Sequence, residues 1–300
     1  MHLLKIGHYT NVELGTGLSV FLFDKPVVAA YHLCGSSPAT RELHTLEFES
    51  NTTYIDALLF SGGSAFGLGA ADGVMRFLQE HGRGKQVPHG VVPIVPTVAI
   101  YDLAVKAPVP PTAEDAYQAC VSASEQYQQG RIGVGTGATV GKLAPNSSRM
   151  SGGLGWAEII LENGLQVLAY AAVNCVGDVR DSSGKIIAGA RVDNKFADCQ
   201  ALFLKGIIEK QATASHTTLV AIFTNAAFSK VELKRITKMA LCGMARAIYP
   251  VFTRYDGDII FAASLGEHVA SEVMVATIAT EVVQQAIVNA VQDSEIMQKD

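Results

Sequence analysis

Apolar and polar positions along the chain recur with strand spacing in some stretches and helical spacing in others. Residues 18–23 and 27–32 read as the two arms of a hairpin turning at Asp24-Lys25-Pro26. Residues 55–60 are an apolar run of strand length that feeds a glycine-rich turn, and residues 67–80 continue with helical spacing. A second helix is expected over 113–129. Residues 156–161 and 166–173 flank Glu162-Asn163-Gly164, whose Asn-Gly pair favours a tight hairpin turn. Residues 218–224 read as another strand. Ser229-Lys230-Val231-Glu232 is a capping box, in which serine and glutamate satisfy each other's main-chain donors, so a helix is expected from there to residue 248. A strand over 259–263 and a helix over 268–291 complete the pattern, which by itself gives a mixed α and β protein. The proline-rich stretch 106–114 reads as a surface loop and is too short for a linker, so one domain over 1–300 is expected.

Composition adds thickness to this picture. Of 300 residues, 49% are hydrophobic and only 17% charged, more apolar material than a thin two-layer domain buries. The net charge of -5, with no basic cluster, points away from nucleic acid and towards a small molecule or a second copy of the chain as partner. Cys34, Cys120, Cys175, Cys199 and Cys242 are dispersed and lack metal-ligand spacing, so they read as buried thiols in a reducing compartment. The first residues lose their apolar character too early for a signal peptide, and no apolar run of membrane-spanning length is read, so a cytoplasmic protein without a membrane partner is expected.

Candidate chemistry lies where the polar stretch 211–216 meets the apolar run Leu219-Val220-Ala221-Ile222-Phe223, at Thr217-Thr218. Attack of the Thr217 hydroxyl on the His216 carbonyl would turn the peptide bond into an ester. Hydrolysis of that ester would leave Thr217 with a free α-amine, which titrates near pH ~8 and can act as base for its own hydroxyl. The plainer alternative is that Thr217 and Thr218 only open a strand.

Segments in order along almost the whole chain resemble the L-aminopeptidase/D-esterase family, which includes β-peptidyl aminopeptidases and nylon-oligomer hydrolases. They are Ser37-Pro38-Ala39-Thr40-Arg41-Glu42, Leu59 through Leu68 with Ala71-Asp72-Gly73-Val74, and Val92-Pro93-Ile94-Val95-Pro96. The series continues with Gly133 through Lys142, Val173-Asn174, the Thr217 junction and Asp256-Gly257-Asp258. The resemblance implies an α+β fold, an αββα four-layer sandwich, cut between His216 and Thr217 into segments 1–216 and 217–300. It implies Thr217 as nucleophile, Asn174 and Lys142 as groups that hold the oxyanion, and Asp256 and Asp258 as carboxylates that orient the new amine. It also implies a homo-oligomer, no cofactor, and a small peptide, amide or ester as substrate. One departure is His216, where relatives typically carry Asn or Gly.

Each of these residues has a plainer role. Asn174 at a strand end is a common turn former, Asp256-Gly257-Asp258 is a turn or a weak calcium motif, and a lysine such as Lys142 is most often at the surface. Ser61, Gly62, Gly63, Ser64 and Phe66 sit where a phosphate-binding turn would stand. Gly62-Gly63 with Gly67 does not fit G-x-G-x-x-G, however, and Gly135 is one residue too far from Gly141-Lys142 for a P-loop. They are expected instead to shape a substrate pocket with Phe66 and exposed main-chain N–H groups. Three functions stay open: a self-processing threonine amidohydrolase, an acyltransferase of the ornithine acetyltransferase type, and an unprocessed binding protein.

Overall fold

Two strands at the start of the chain set the plan of the fold. In the computed structural model, which describes residues 4–207 and 216–297, β1 (Leu4–Asn11) pairs antiparallel with β2 (Thr16–Leu33) from Leu4↔Phe23 to Asn11↔Thr16. The expected hairpin at Asp24-Lys25-Pro26 does not form. β1 already occupies the edge of 16–23 that a returning arm would need, and β2 runs on as one strand of 18 residues. Its register against β3 (Tyr54–Ser61) slips between Leu22 and Val27, leaving extra residues that bend the strand.

That bend lets β2 serve two sheet layers. The nine-stranded sheet adds β4 (Thr97–Ala99), β5 (Gly153–Ile160), β6 (Gln166–Asn174), β7 (Thr217–Ala226) and β8 (Ile259–His268), in the order β5-β6-β7-β8-β2-β3-β4 and then Ala39–Arg41, with β1 off this path on β2. The parallel pairs are β7 with β8 and β3 with β4. Parallel neighbours need a crossover. Helices α1 (Ala71–Glu80) and α3 (Lys230–Ala247) supply the two crossovers, while α2 (Ala113–Val121) and α4 (Glu272–Ala290) pack beside them.

Side-chain alternation along the strands divides the interior into three layers. Leu18, Val20 and Leu59 face Val74, Leu78, Ala116 and Ala119 of α1 and α2. Val167, Ala169, Val220, Ile222 and Ile260 face α3 and α4. Between the sheets lie Phe21, Phe60, Leu168, Tyr170, Leu219, Phe223 and Phe261, with Phe21 in ring contact at 5.2 Å with Phe60, 5.4 Å with Tyr170 and 5.3 Å with Phe223. The order is therefore helices, sheet, sheet, helices, the αββα sandwich.

Several expected boundaries move. The helix expected over 113–129 stops at Val121, because Ile6 and Ser124 exchange main-chain hydrogen bonds and draw the following chain onto β1. The region 67–80 begins as a one-turn helix, Ser64–Gly67, and a 3-10 turn, Leu68–Ala70, ahead of α1. The capping box holds as read, with Glu232 N donating to Ser229 Oγ and Ser229 N to Glu232 Oε2. β8 runs to His268, so α4 starts later than expected.

Helix α4 is long and apolar enough by composition to cross a membrane, contrary to expectation. Its residues Val275, Ala276, Ala279, Val283, Ala286 and Ile287 are buried in the layer shared with β5 and β6. All five cysteines are free thiols, but only Cys120, Cys175 and Cys199 are buried. Cys34 is half-buried and Cys242 exposed.

Candidate active site

Three chain ends meet at one edge of the sheet formed by β5 to β8. β6 runs antiparallel to β7, so its last residue, Asn174, is the register partner of Thr217, the first residue of β7. β7 and β8 are parallel and start at the same end, which sets the chain entering β8 beside the chain entering β7. His216 and Asp256 form a parallel bridge there. His216 N donates to the Tyr255 carbonyl at 2.9 Å, and Gly257 N donates to the His216 carbonyl at 2.5 Å. The polar stretch at 211–215 lies outside the described residues.

Lys142 reaches this edge through its backbone. Gly141 N donates to Gly177 O at 3.0 Å and Lys142 N to Val176 O at 2.8 Å, laying this segment along the chain just past β6. Gly141 has φ +75, and a Cβ there would stand 2.0 Å from Ala190 N, so both conformation and space demand glycine. Lys142 Nζ then donates to Asn174 O at 3.0 Å and Asn174 Oδ1 at 2.9 Å, and lies 3.0 Å from His216 Nδ1. Burial lowers the Lys142 pKa to about 7, with Asp256 and Cys175 opposing. Burial and then Lys142 lower His216 to about 2, so its ring is neutral and Nδ1 accepts.

Asn174 is fully enclosed. Its Oδ1 also accepts from Thr139 N at 3.0 Å, and its Nδ2 donates to Tyr101 O at 3.2 Å. Asp258 Oδ1 accepts from Thr218 N at 2.6 Å and Oδ2 from Phe252 N at 3.1 Å, so this carboxylate holds the residue that follows Thr217. Asp256 Oδ2 accepts from Thr253 N at 3.0 Å and Thr253 Oγ1 at 2.6 Å. Burial raises both carboxyls, and the Asp256 charge pushes Asp258 further up. Two buried carboxyls this close resist carrying two charges. Among the described residues no group of three or more His, Cys, Asp or Glu side chains is placed to hold a metal ion.

The structure brings Thr217, His216, Asn174, Lys142, Asp256 and Asp258 together, and it leaves the glycine-rich loop one step away. Gly62 N donates to Gly17 O at 2.8 Å, Gly63 N to Asp102 Oδ1 at 2.7 Å and Ser64 N to Ile100 O at 2.8 Å. For Gly62, Gly63 and Ser64 the expectation of exposed main-chain N–H groups is therefore corrected, because these three are consumed inside the fold. Ser61 is buried, while Phe66 is 74% exposed. The loop connects to the cluster through residues 100–102, since Tyr101 O holds Asn174.

Comparison with known proteins fits this arrangement. The model of peptidase family S58 matches residues 3–300. The chain belongs to peptidase family S58. Membership places it among peptidases, and so among hydrolases. A relative described as an uncharacterized aminopeptidase of Mycobacterium tuberculosis is 38% identical to this S58 chain over 280 residues, 88% of this chain and 79% of the relative. A 6-aminohexanoate-oligomer endohydrolase of Agromyces sp. is 28% identical over 221 residues, 70% of this chain and 61% of that protein. In fold, the L-aminopeptidase D-Ala-esterase/amidase of Ochrobactrum anthropi, described as a variant of the Ntn-hydrolase fold, superposes with a TM-score of 0.73 at 18% identity, over 96% of this chain and 83% of that one. A Burkholderia sp. beta-aminopeptidase gives 0.71 at 18% identity, over 96% and 84%. The S58 chain thus has the Ntn-hydrolase type of α+β sandwich.

Sequence reasoning missed several contributors to this S58 site. Tyr101 acts through its carbonyl and Thr139 mainly through its N–H, atoms that leave no trace in residue type, although Thr139 Oγ1 also donates to Asn174 Oδ1 at 3.3 Å. Asp102 is 1% exposed and accepts from Thr16 Oγ1 at 2.7 Å as well as from Gly63 N, tying three loops together. A carboxylate directly after the apolar run 97–101 is the one signal that would have found it.

Proposed function

We propose that the chain is a self-processing N-terminal-nucleophile hydrolase. It cuts itself between His216 and Thr217, and the freed Thr217 then cleaves amide or ester bonds in small peptides, β-peptides or ω-amino-acid oligomers. The observation that carries this reading is the convergence on one strand end. The hydroxyl-bearing residue Thr217 opens β7, its upstream carbonyl is engaged by Gly257, Asn174 faces it from the paired strand, and Lys142 is bonded to Asn174. The substrate range rests on relatives described as aminopeptidases and as a 6-aminohexanoate-oligomer hydrolase.

Burial supports the same reading. Thr217 is 1% exposed and His216 7% exposed in the unbroken chain, so a substrate meets the hydroxyl only after the bond before Thr217 has been cut and His216 displaced. In the cycle, the freed α-amine takes the Thr217 hydroxyl proton as the oxygen attacks the substrate carbonyl, and the amine returns the proton to the leaving group; water, deprotonated by the same amine, then releases the acyl group from Thr217 as the carboxylate. The Lys142 ammonium and the Asn174 amide offset charge on the attacked oxygen. Asp258, bonded to Thr218 N, fixes the start of β7 and with it the direction of the amine.

Intact mass of the freshly purified protein beside a Thr217→Ala chain tests the proposal. Self-processing divides the 31.8 kDa chain into pieces of about 23 and about 9 kDa by residue count, in the wild type alone. A single whole chain in both samples overturns it.

A further inference from the structure

We infer that the main-chain N–H of Gly257 is a catalytic donor in self-cleavage, carrying the negative charge that forms on the His216 carbonyl oxygen; this rests on the self-processing proposed above. In the cleavage step Thr217 Oγ bonds to the His216 carbonyl carbon, and the π pair of the carbonyl moves onto its oxygen. The hydroxyl proton is passed to Thr217 N as the C–N bond breaks, which returns the electron pair to the carbonyl and leaves an ester. Water then hydrolyses that ester to the His216 carboxylate and the Thr217 hydroxyl. Only the tetrahedral species carries the charge, and the His216 oxygen is where it sits.

The donor is already in place. Gly257 N lies 2.5 Å from His216 O, and His216 N is fixed from the same segment by Tyr255 O at 2.9 Å. The peptide unit that holds the donor is itself anchored, because its carbonyl, Asp256 O, accepts from Ser37 N at 2.9 Å. Ser37 N–H, the Asp256–Gly257 peptide and the His216 carbonyl therefore form one aligned chain of dipoles, each polarising the next. Cys34 N and Gly35 N both donate to Asp258 O, at 2.8 and 3.1 Å, and keep the segment from drifting. A hydrogen bond to an anion is about twice as strong as one to a neutral carbonyl, so this donor favours the tetrahedral species over the ground state.

Glycine at 257 is required by space. Its φ is not left-handed. A Cβ there would stand 2.8 Å from Thr217 Oγ1, 2.7 Å from Ser37 O and 2.9 Å from Pro38 Cα. Any side chain would push on the attacking hydroxyl and on the Ser37-Pro38 segment that anchors the donor. The residue between two aspartates is thus the place where the backbone approaches both the nucleophile and the carbonyl it attacks.

An amide-to-ester exchange isolates the N–H. The full chain is assembled by ligating a recombinant 1–241 thioester to a synthetic 242–300 peptide at Cys242, once with Gly257 and once with glycolate in its place. The ester oxygen removes the donor and adds no bulk beside Thr217. After refolding, melting temperature checks the fold and intact mass follows cleavage. The expected result is cleavage slowed about 100-fold or more in the ester chain, the usual loss for one oxyanion donor. Cleavage of both chains at rates within a few-fold overturns the role of Gly257 and leaves self-processing standing. An all-amide chain that stays whole overturns self-processing and this inference together. Should the ester chain not refold, isotope-edited infrared of a Thr217→Ala chain carrying ¹³C-carbonyl histidine reads the same bond. The band lost on His216→Gln is expected to lie lowest in frequency among the eight histidines, and a band at the frequency of the others overturns the inference.

Discussion

Asn174 and Thr217 are register partners across β6 and β7, the last residue of one strand facing the first residue of the next. The amide of Asn174 links this pair to two loops, since Oδ1 takes Thr139 N–H and Lys142 Nζ while Nδ2 reaches Tyr101 O. One buried side chain thereby sets the position of the lysine beside His216.

Replacing Asn174 with Ala leaves the Thr139 N–H and one Lys142 donor direction without an acceptor. Each such buried loss costs about 1–3 kcal/mol. The Asn174→Ala chain is expected to lose about 2–4 kcal/mol in denaturant unfolding, measured in the Thr217→Ala background so that only whole chains are compared. A loss below ~0.5 kcal/mol shows that the amide does not hold the loops.

The proposed self-cleavage is expected to depend on pH through Lys142. With its pKa lowered to about 7 by burial, the ammonium is lost as pH rises through neutrality. If the cation offsets charge on the carbonyl oxygen, the first-order cleavage rate falls about tenfold per pH unit above that pKa. Lys142→Met is expected to cleave slowly with no such fall. A wild-type rate that climbs through pH 7 instead assigns Lys142 the role of a neutral base.

His216 makes the unbroken chain acid-sensitive. Its folded pKa, about 2, lies below the unfolded value of 6.5, so the unfolded state binds more protons between these limits. The stability from keeping the ring neutral is full above pH 6.5 and is lost as pH falls towards 2. Melting temperatures of Thr217→Ala and of Thr217→Ala with His216→Asn, measured from pH 7 to pH 4, are expected to fall more steeply with acid in the chain that keeps His216. Parallel curves would mean that His216 is not buried as a neutral ring.

Gly73 in α1 is the closest approach of the outer helices. A Cβ there would stand 1.7 Å from Ala113 O and 3.0 Å from Tyr117 N of α2. Gly73→Ala is expected to lower stability by about 1–3 kcal/mol despite its better helix propensity. The position lies in the outer helical layer, so the time course of self-cleavage at low temperature should not change. A rise in melting temperature would show that the helices can part at no cost.

Much of the fold was legible because local chemistry enforces it. The Ser229–Glu232 capping box, the Asn163-Gly164 turn and the apolar runs at 55–60 and 218–224 each carry their own donors, turn geometry or burial demand. The errors have a common cause in partners far away in sequence. Asp24-Lys25-Pro26 looks like a turn, yet β1 fills the edge a hairpin arm would use, so β2 bends instead of reversing. Residues after Val121 keep helical character, yet their main-chain groups are taken by Ile6. The glycine-rich loop looks open to a ligand, yet Gly17, Asp102 and Ile100 take the N–H groups of Gly62, Gly63 and Ser64.

The sequence by itself determined the candidates for chemistry: a hydroxyl at the head of an apolar strand, an asparagine at the tail of another, a lysine after a glycine run, and two aspartates around a glycine. It also determined a thick apolar core, because that much hydrophobic surface must be layered. Only the tertiary structure decided that these pieces share one point. The parallel crossover through α3 starts β7 and β8 at the same end, and the antiparallel pairing of β6 ends there too. The donors and acceptors that complete the point, Gly257 N, Tyr255 O and Tyr101 O, are main-chain atoms. Every residue carries such atoms, so strand register alone assigns them a role.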